Sequence, residues 1–336
     1  MAKLYKKYKW LKWEFWPFWF FYIPVYFRYL YYGIRAKSFG FFTASNPLME
    51  YGGLTNYSKY NVLKHIDAQY IPVTHLISPP FKKVNLEEKK LSYPIIMKPD
   101  MGERGFSVEK IKNTQELEKY LSQSNQSILL QEFIDFPIEL GIMYYRFPNQ
   151  EKGTISSVVR KEVLSVTGDG TSSLAELIQK GDRTAYHQDM LFKMYSTELE
   201  NILEQGKKKQ LSDIGNHIRG ATFYNANHLI NDNLHNVIDR IAKPIRGYHF
   251  GRFDLKVKSI DDLYAGKNIK IVELNGANSE PTHIYDPNMP LLKAYKALYK
   301  HWRVLYQISV ANHKLGVPYK SVWEVARVMR RYHKER

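Results

Sequence analysis

The sequence predicts an α+β protein, and three observations carry that prediction. Short apolar strands bounded by Gly, Pro, Asn or Asp alternate with helices that open on Ser or Thr. One unit, residues 251–280, reads as strand, polar turn and strand, with two carboxylates and an amide brought to one face. At 336 residues the chain has material for two or three lobes with a sizeable core.

Composition narrows the chemistry. The absence of cysteine excludes thiol catalysis, disulfides and cysteine-bound zinc. A formal net charge of +16 favours anionic partners, whether nucleotides, nucleic acid or an anionic membrane surface. No internal repeat or long low-complexity linker is evident, and no motif reads nucleic acid specifically.

Residues 1–38 differ from the rest. They are rich in Lys and Tyr up to Lys12 and continue as WEFWPFWFFYIPVYFRYLYYG. A signal peptide would have an aliphatic core and a small-residue cleavage site. The apolar run Phe15–Phe27 is shorter than the about twenty residues of a spanning helix and contains Pro17 and Pro24. Trp and Tyr favour the membrane–water interface and Lys favours anionic headgroups, so the expectation is an interfacial or re-entrant anchor. The alternative is an aromatic arm packed on its own protein or in a dimer interface.

Phe39–Ala44 reads as a buried strand ending at Asn46-Pro47, and Gly52-Gly53 as a flexible turn. Ser58 is placed to cap a helix reaching about His65, with Lys59 in its first turn, where the helix dipole does not favour a cation. The strand Tyr93–Lys98 delivers Lys98 just before Pro99. Gly102 and Gly105 then flank Glu103 and Arg104, and Phe106 and Ser107 lead back into strand. A glycine hairpin after a strand-end lysine can fold backbone N–H groups over phosphates. A helix at 114–122 precedes the buried strand Ser127–Ile134, which Asp135-Phe136-Pro137 ends.

Glu139 precedes the strand LGIMYYRF, and the strand Ile155–Leu164 carries Arg160 and Lys161, candidates for substrate or phosphate contact. In VTGDGTSSLAELI a glycine turn enters a helix capped by Ser172 or Ser173, with Glu176 near its first turn. Residues 182–210 read as polar, helical and exposed, and 211–226 as irregular, with His217 and Arg219 as weaker candidates. A helix over Asp232–Arg246 leads to the 251–280 unit. There Asp254 lies in the first strand, a turn holds Asp261, Asp262 and Gly266, and Glu273 and Asn275 close the second strand. Two carboxylates and an amide oxygen suit a hard cation such as Mg²⁺; the plainer alternative is two solvated carboxylates beside a turn. An amphipathic helix over Met289–Asn312 closes the fold, and the last twenty residues form a basic helix, either a solvated face or a second membrane contact.

Taken in order, the helix lysine Lys59, the strand lysine Lys98 before the glycine hairpin, the apolar strand ending in a Glu-containing turn, and the Arg252-x-Asp254 and Glu273-x-Asn275 strand pair resemble the ATP-grasp superfamily. Within it they look most like D-alanine–D-alanine ligase, and TGDGTSSLAELI resembles the GDG-containing stretch of cyanophycin synthetase-type ligases. The resemblance covers roughly residues 55–300 and implies an ATP-grasp fold of two α+β lobes clamping ATP. It divides the chain into an arm (1–38), a reduced N-terminal domain and linker helix (39–90), a small lobe (91–137), a catalytic lobe (138–312) and a basic C-terminal helix (313–336).

The resemblance also implies roles. Lys59 and Lys98 would touch the ATP phosphates, and Gly102, Glu103, Gly105, Phe106 and Ser107 would form the mobile loop over them. Gln131, Glu132, Phe133 and Ile134 would form the hinge that reads adenine, and Glu139 would accept from the ribose. Arg252 and Lys98 would act on the transferring phosphate, and Asp254, Glu273 and Asn275 would hold Mg²⁺, usually two ions; Arg160 joins the catalytic candidates from its strand position, not from the resemblance. The implied activity is a Mg-ATP-dependent carboxylate–amine or carboxylate–thiol ligase using an acyl phosphate, at the cytoplasmic membrane face. A kinase on the same fold and a non-catalytic nucleotide-binding protein are the alternatives. Past Asn275 the sequence GANSEPTHIYDP departs from the serine- and glycine-rich turn that holds a D-alanine carboxylate, so neither substrate is named.

Overall fold

The structure, a computed structural model, describes residue 13 and residues 16–82, 84–102, 107–212 and 220–334. Glu103, Gly105 and Phe106, the lysine-rich residues before Trp13, and His217 with Arg219 lie outside the described residues.

The arm folds into α1 (Phe18–Phe21) and α2 (Ile23–Arg35). Pro17 stands at the N-cap of α1 and Pro24 in the first turn of α2, where a missing N–H costs no helical hydrogen bond. No helix among the described residues is long and apolar enough to cross a membrane. Phe41–Ala44, expected as part of a strand, is a 3₁₀ turn with Phe41 and Phe42 buried. An apolar run this short satisfies a core in either form. A second 3₁₀ turn at Glu50–Gly53 carries three successive positive φ angles, at Tyr51, Gly52 and Gly53. A Cβ on Gly53 would stand 2.7 Å from the Gly276 Cα, so glycine is required there. Helix α3 (Lys59–Leu63) follows, its N-cap Ser58 accepting from the Asn61 N–H.

The small lobe contains β1 (Thr74–Ile77), β2 (Ile95–Pro99), β3 (Glu109–Ile111), α4 (Thr114–Ser122) and β4 (Ile128–Glu132). Among the described residues these strands form a four-stranded antiparallel sheet in the order β1-β4-β2-β3. Ile95 and Met97 face a core shared with Leu117, Tyr120 and Leu130. Alternation along β2 therefore turns Lys98 to the other side, towards the second lobe.

The second lobe is built on β5 (Ile138–Tyr145) and β6 (Thr154–Glu162). After β6 the chain forms a side unit of β7 (Ser165–Thr167), α5 (Leu174–Lys180), α6 (Asp182–Tyr186), α7 (Gln188–Met194) and β8 (Lys208–Gln210). The unit has its own core of Leu174, Ile178, Leu191 and Leu211, so residues 182–210, expected to be exposed, bury Leu191 in it. Then come β9 (Thr222–Asn225), α8 (Asp232–Ala242), β10 (Phe250–Val257), α9 (Ile260–Ala265) and β11 (Ile269–Asn275). The polar turn expected between the last two strands is α9, capped by Ser259 and ended by Gly266 in the left-handed region.

Among the described residues, the larger antiparallel sheet has five strands in the order β11-β10-β5-β6-β9. One face packs Leu140, Ile142, Phe253 and Leu255 against Leu234, Ile238 and Ile241 of α8. The opposite face carries Glu139, Lys161, Arg252 and Asp254. Helix α10 (Leu291–Lys314) closes the lobe, and the arm lies along it: Phe21 stacks on Tyr295 at 5.2 Å and Tyr32 on Tyr306 at 4.6 Å. Helix α11 (Val322–Lys334) packs through Val325 and Met329 on the same cluster as Tyr32.

Candidate active site between the lobes

Asp254 is the centre of a charged cluster on the free face of the larger sheet. It pairs across strands with Glu273, and Arg252 pairs with Asn275. Arg252 grips the Asp254 carboxylate in a fork, Nε to Oδ1 at 2.7 Å and Nη2 to Oδ2 at 3.0 Å. Lys161 Nζ lies 3.2 Å from Asp254 Oδ1 and 3.3 Å from Glu139 Oε1, and Asn275 Nδ2 donates to Asp254 Oδ2 at 3.1 Å. Burial alone would raise the Asp254 carboxyl, but Arg252 and Lys161 hold it well below the usual carboxylate range. Gly141 makes room on the neighbouring strand, since a Cβ there would lie 2.9 Å from Val159.

Lys98 reaches this cluster from the small lobe. Its Nζ donates to Gln131 Oε1 at 2.9 Å and, across the cleft, to the Val272 carbonyl at 2.9 Å. Burial pulls its pKa down to about 8, against the opposing pull of the Glu273 charge. Lys59, oddly placed in a helix first turn, donates to the carbonyls of Asp100 and Gly102 at the start of the glycine loop. Ser107 closes that loop with φ of 51°, its carbonyl accepting from the Tyr120 hydroxyl at 2.6 Å. At the expected hinge residues, Glu132 Oε2 accepts from the Val73 N–H at 3.1 Å, Lys256 Nζ donates to the Ile134 carbonyl at 3.0 Å, and Lys110 sits 3.8 Å over the Phe133 ring.

Arg160 is not part of this cluster, contrary to expectation. The β5–β6 register sets Lys161 opposite Glu139 and Arg160 opposite Leu140, so Arg160 points to the other face of the sheet. Its side chain is half exposed and pairs loosely with Glu162 at 3.7 Å. We expect Arg160→Ala to leave ATP turnover within about twofold, as at other exposed ion pairs. Lys161→Met, which removes the ion-pair partner of Glu139 and leaves Asp254 to Arg252, should cost on the order of 3 kcal/mol of stability in a urea titration. Equal stability losses in the two variants would contradict the placement.

Two contacts are invisible in the sequence. The Tyr57 hydroxyl donates to Asn275 Oδ1 at 3.3 Å and the Tyr248 hydroxyl to the Asn275 carbonyl at 3.2 Å. Nothing local distinguishes these from the other tyrosines among 26.

The donor set of Asp254, Glu273 and Asn275 fits a hard divalent cation, since all three offer oxygen. No group of three His, Cys, Asp or Glu among the described residues is so arranged, because the third donor here is an amide. As placed, Asn275 turns Nδ2 to Asp254 and Oδ1 to Tyr57. A half-turn of the amide exchanges the two atoms, and the Tyr57 hydroxyl then accepts from Nδ2.

The segment after Asn275 rests on the arm's neighbour. Ala277 and Asn278 donate their N–H groups to the carbonyls of Gly52 and Gly53, at 3.0 and 3.2 Å. Asn278 Oδ1, Thr282 Oγ1 and His283 Nδ1 are buried without a protein partner among the described residues. Burial raises Glu280 to about 7, and its carboxyl accepts from the hydroxyls of Tyr22 and Tyr285, while its carbonyl accepts from Arg252 Nη1 at 3.2 Å. Beside this loop lies a cavity of about 60 Å³, lined by Tyr145, Phe250, Pro281, His283, Lys300 and His301. Phe250 shares a strand face with Arg252, so the cavity lies on the same side of β10 as the charged cluster.

Residues 59–161, from the first turn of α3 to Lys161, match the model of the RimK-like ATP-grasp domain. The fold of this segment is that of the ATP-grasp superfamily. The ATP-grasp match thus takes in the small lobe and the first two strands of the larger sheet, and ends on the lysine that contacts Asp254. Among solved structures, the chain is similar to D-alanine–D-alanine ligase from Bacillus anthracis, at 14% identity over 77% of this chain and 69% of that one, with a TM-score of 0.45. It is similar to VanG D-Ala:D-Ser ligase from Enterococcus faecalis, at 14% identity over 74% and 61%, with a TM-score of 0.41. A bifunctional glutathione synthetase from Pasteurella multocida is 13% identical over 72% of this chain, with a TM-score of 0.39, and this chain spans 36% of its length. No curated protein matches the sequence significantly.

Proposed function

We propose that this ATP-grasp protein is an ATP-dependent carboxylate–amine or carboxylate–thiol ligase working through an acyl phosphate, at the cytoplasmic face of a membrane. The observation that carries the reading is the meeting of Lys98 from one lobe with the Arg252–Asp254–Glu273–Asn275 set of the other. This is an arrangement for holding a triphosphate and its cation between the two lobes.

A carboxylate is a poor electrophile until its oxygen takes the γ-phosphoryl group of ATP, giving an acyl phosphate and ADP. The amine then attacks the carbonyl carbon, phosphate leaves with the C–O bonding pair, and the amine proton is lost. Phosphoryl transfer is governed by position and charge, so no protein nucleophile is needed, in keeping with a chain that has no cysteine. Mg²⁺ held by Asp254, Glu273 and Asn275 would supply charge neutralisation at the phosphates. Lys98 and Lys59 would bind the triphosphate from the small-lobe side. Arg252, locked in plane by Asp254 and by the Glu280 carbonyl, would face the transferred phosphoryl group and then the tetrahedral oxyanion. Lys161 would keep Asp254 ionised and both Asp254 and Glu139 oriented. The buried, unpaired polar atoms at Asn278, Thr282 and His283 favour the loop after Asn275 as the acceptor side.

Phosphate release measured across pairs of carboxylates and amines tests the reading. Free phosphate should appear only when acid and amine are both present. A phosphorylated product without free phosphate would make the protein a kinase instead.

A further inference from the structure

Resting on the reading of the arm as a membrane contact, we propose that the outer faces of α2 and α11 form one docking surface for an anionic lipid leaflet. Helix α2 is apolar on two sides. Val25, Tyr29 and Tyr32, spaced i, i+4 and i+7, turn inward to clusters built with α10. Ile23, Phe27, Leu30 and Ile34 repeat that spacing two residues out of phase, which sets them on the opposite side of the helix. They are 40, 69, 45 and 69% exposed, and Trp19 on α1 is 63% exposed. Exposed Tyr26 and Tyr31 flank the stripe. Contiguous large apolar side chains are seldom left on a soluble surface, and aliphatic groups flanked by Trp and Tyr suit the headgroup boundary.

Helix α11 supplies the charge. Val325 and Met329 bury into the cluster that holds Tyr32, and the Lys320 N–H donates to Thr43 Oγ1 at 2.9 Å, which fixes the start of α11 against the arm's own support. On the side away from that cluster, Trp323, Arg327, Arg330 and Arg331 are all exposed, at i, i+4, i+7 and i+8. Arg35 and Lys37 are exposed at the end of α2, and five lysines precede Trp13 in the sequence. A basic helix beside an apolar stripe complements acidic headgroups over acyl chains. A two-fold contact through the same surface would bring two net-basic faces together, which disfavours a dimer here.

The inner side of the arm meets the candidate acceptor loop through Tyr22 on Glu280, and is held on α10 by Phe21 stacked on Tyr295. Docking would therefore hold that loop about one helix diameter, ~10 Å, beneath the leaflet.

Flotation of the full-length protein with vesicles of POPC alone, or of POPC mixed with POPG, tests the surface. Wild type should bind the mixed vesicles and bind POPC alone about tenfold or more weakly. The double variant Phe27→Glu, Ile34→Glu and the triple variant Arg327→Glu, Arg330→Glu, Arg331→Glu should each lose about tenfold on mixed vesicles while retaining ATP binding in solution. If wild type floats with neither composition, the membrane reading falls and this proposal with it. If it binds both compositions equally and the arginine variant binds like wild type, the membrane reading stands and the composite anionic surface is overturned. If the Phe27, Ile34 variant turns a dimer into a monomer and no form floats, the stripe covers a second copy and the proposal is wrong.

Discussion

Glu273→Gln should lower ATP turnover by about a hundredfold or more while the protein stays folded. The substitution preserves shape and removes one charge. Glu273 faces Asp254 across the β10–β11 pair, and Asp254 already carries Arg252, Lys161 and Asn275 on its two oxygens. With Asp254 so occupied, Glu273 is the carboxylate best able to give a whole oxygen to a cation. Because its loss also relieves a like-charge pair, the melting temperature should shift by no more than about 1–2 °C, the equivalent of roughly 1 kcal/mol in a chain of this size. Turnover near the wild-type value would remove Glu273 from the site.

The second large effect concerns Lys98. Burial lowers it to about 8 in the free protein, and the negative charge of bound ATP must raise it again. The sign follows from linkage. Below pH 8 Lys98 is already charged and binding moves no proton. Above pH 8 the nucleotide has to bring a proton with it, so ATP affinity should fall by up to about tenfold per pH unit until the bound-state pKa is passed. Calorimetry in buffers of different ionisation enthalpy at pH 8.5–9 should register uptake approaching one proton per ATP, at the pH range set by a free pKa near 8. Lys98→Met should abolish that uptake and weaken ATP binding by about tenfold or more, as loss of a charge-assisted bond does. An affinity flat across this range in wild type would mean that Lys98 does not meet the phosphates.

Much of this site is legible in the sequence because it is local. Lys98 is flagged by a strand that stops at Pro99, and Asp254, Glu273 and Asn275 by period-two spacing within two apolar runs. The ATP-grasp fold was likewise readable, since the marker residues come in chain order. What stayed hidden depends on partners far along the chain. Whether Arg160 or Lys161 faces the site is decided by the register against β5, and alternation alone cannot choose between adjacent residues. Tyr57 and Tyr248 meet at Asn275 only after folding. Short elements misread for a different reason: Phe41–Ala44 and Ile260–Ala265 are too brief to show a helical period. The arm was ambiguous because α2 is apolar on two faces; one packs on α10, as the packed-arm alternative required, and the other is exposed.

The acyl phosphate is the centre of the account, and positional isotope exchange tests it most directly. ATP carrying ¹⁸O in its β-nonbridging positions is incubated with the protein and the acid found in the phosphate-release measurements, without amine. Reversible transfer to the carboxylate should scramble label into the β–γ bridge, only when acid is present and not in Glu273→Gln. Turnover with acid and amine that proceeds with no acid-dependent scrambling would contradict the mechanism.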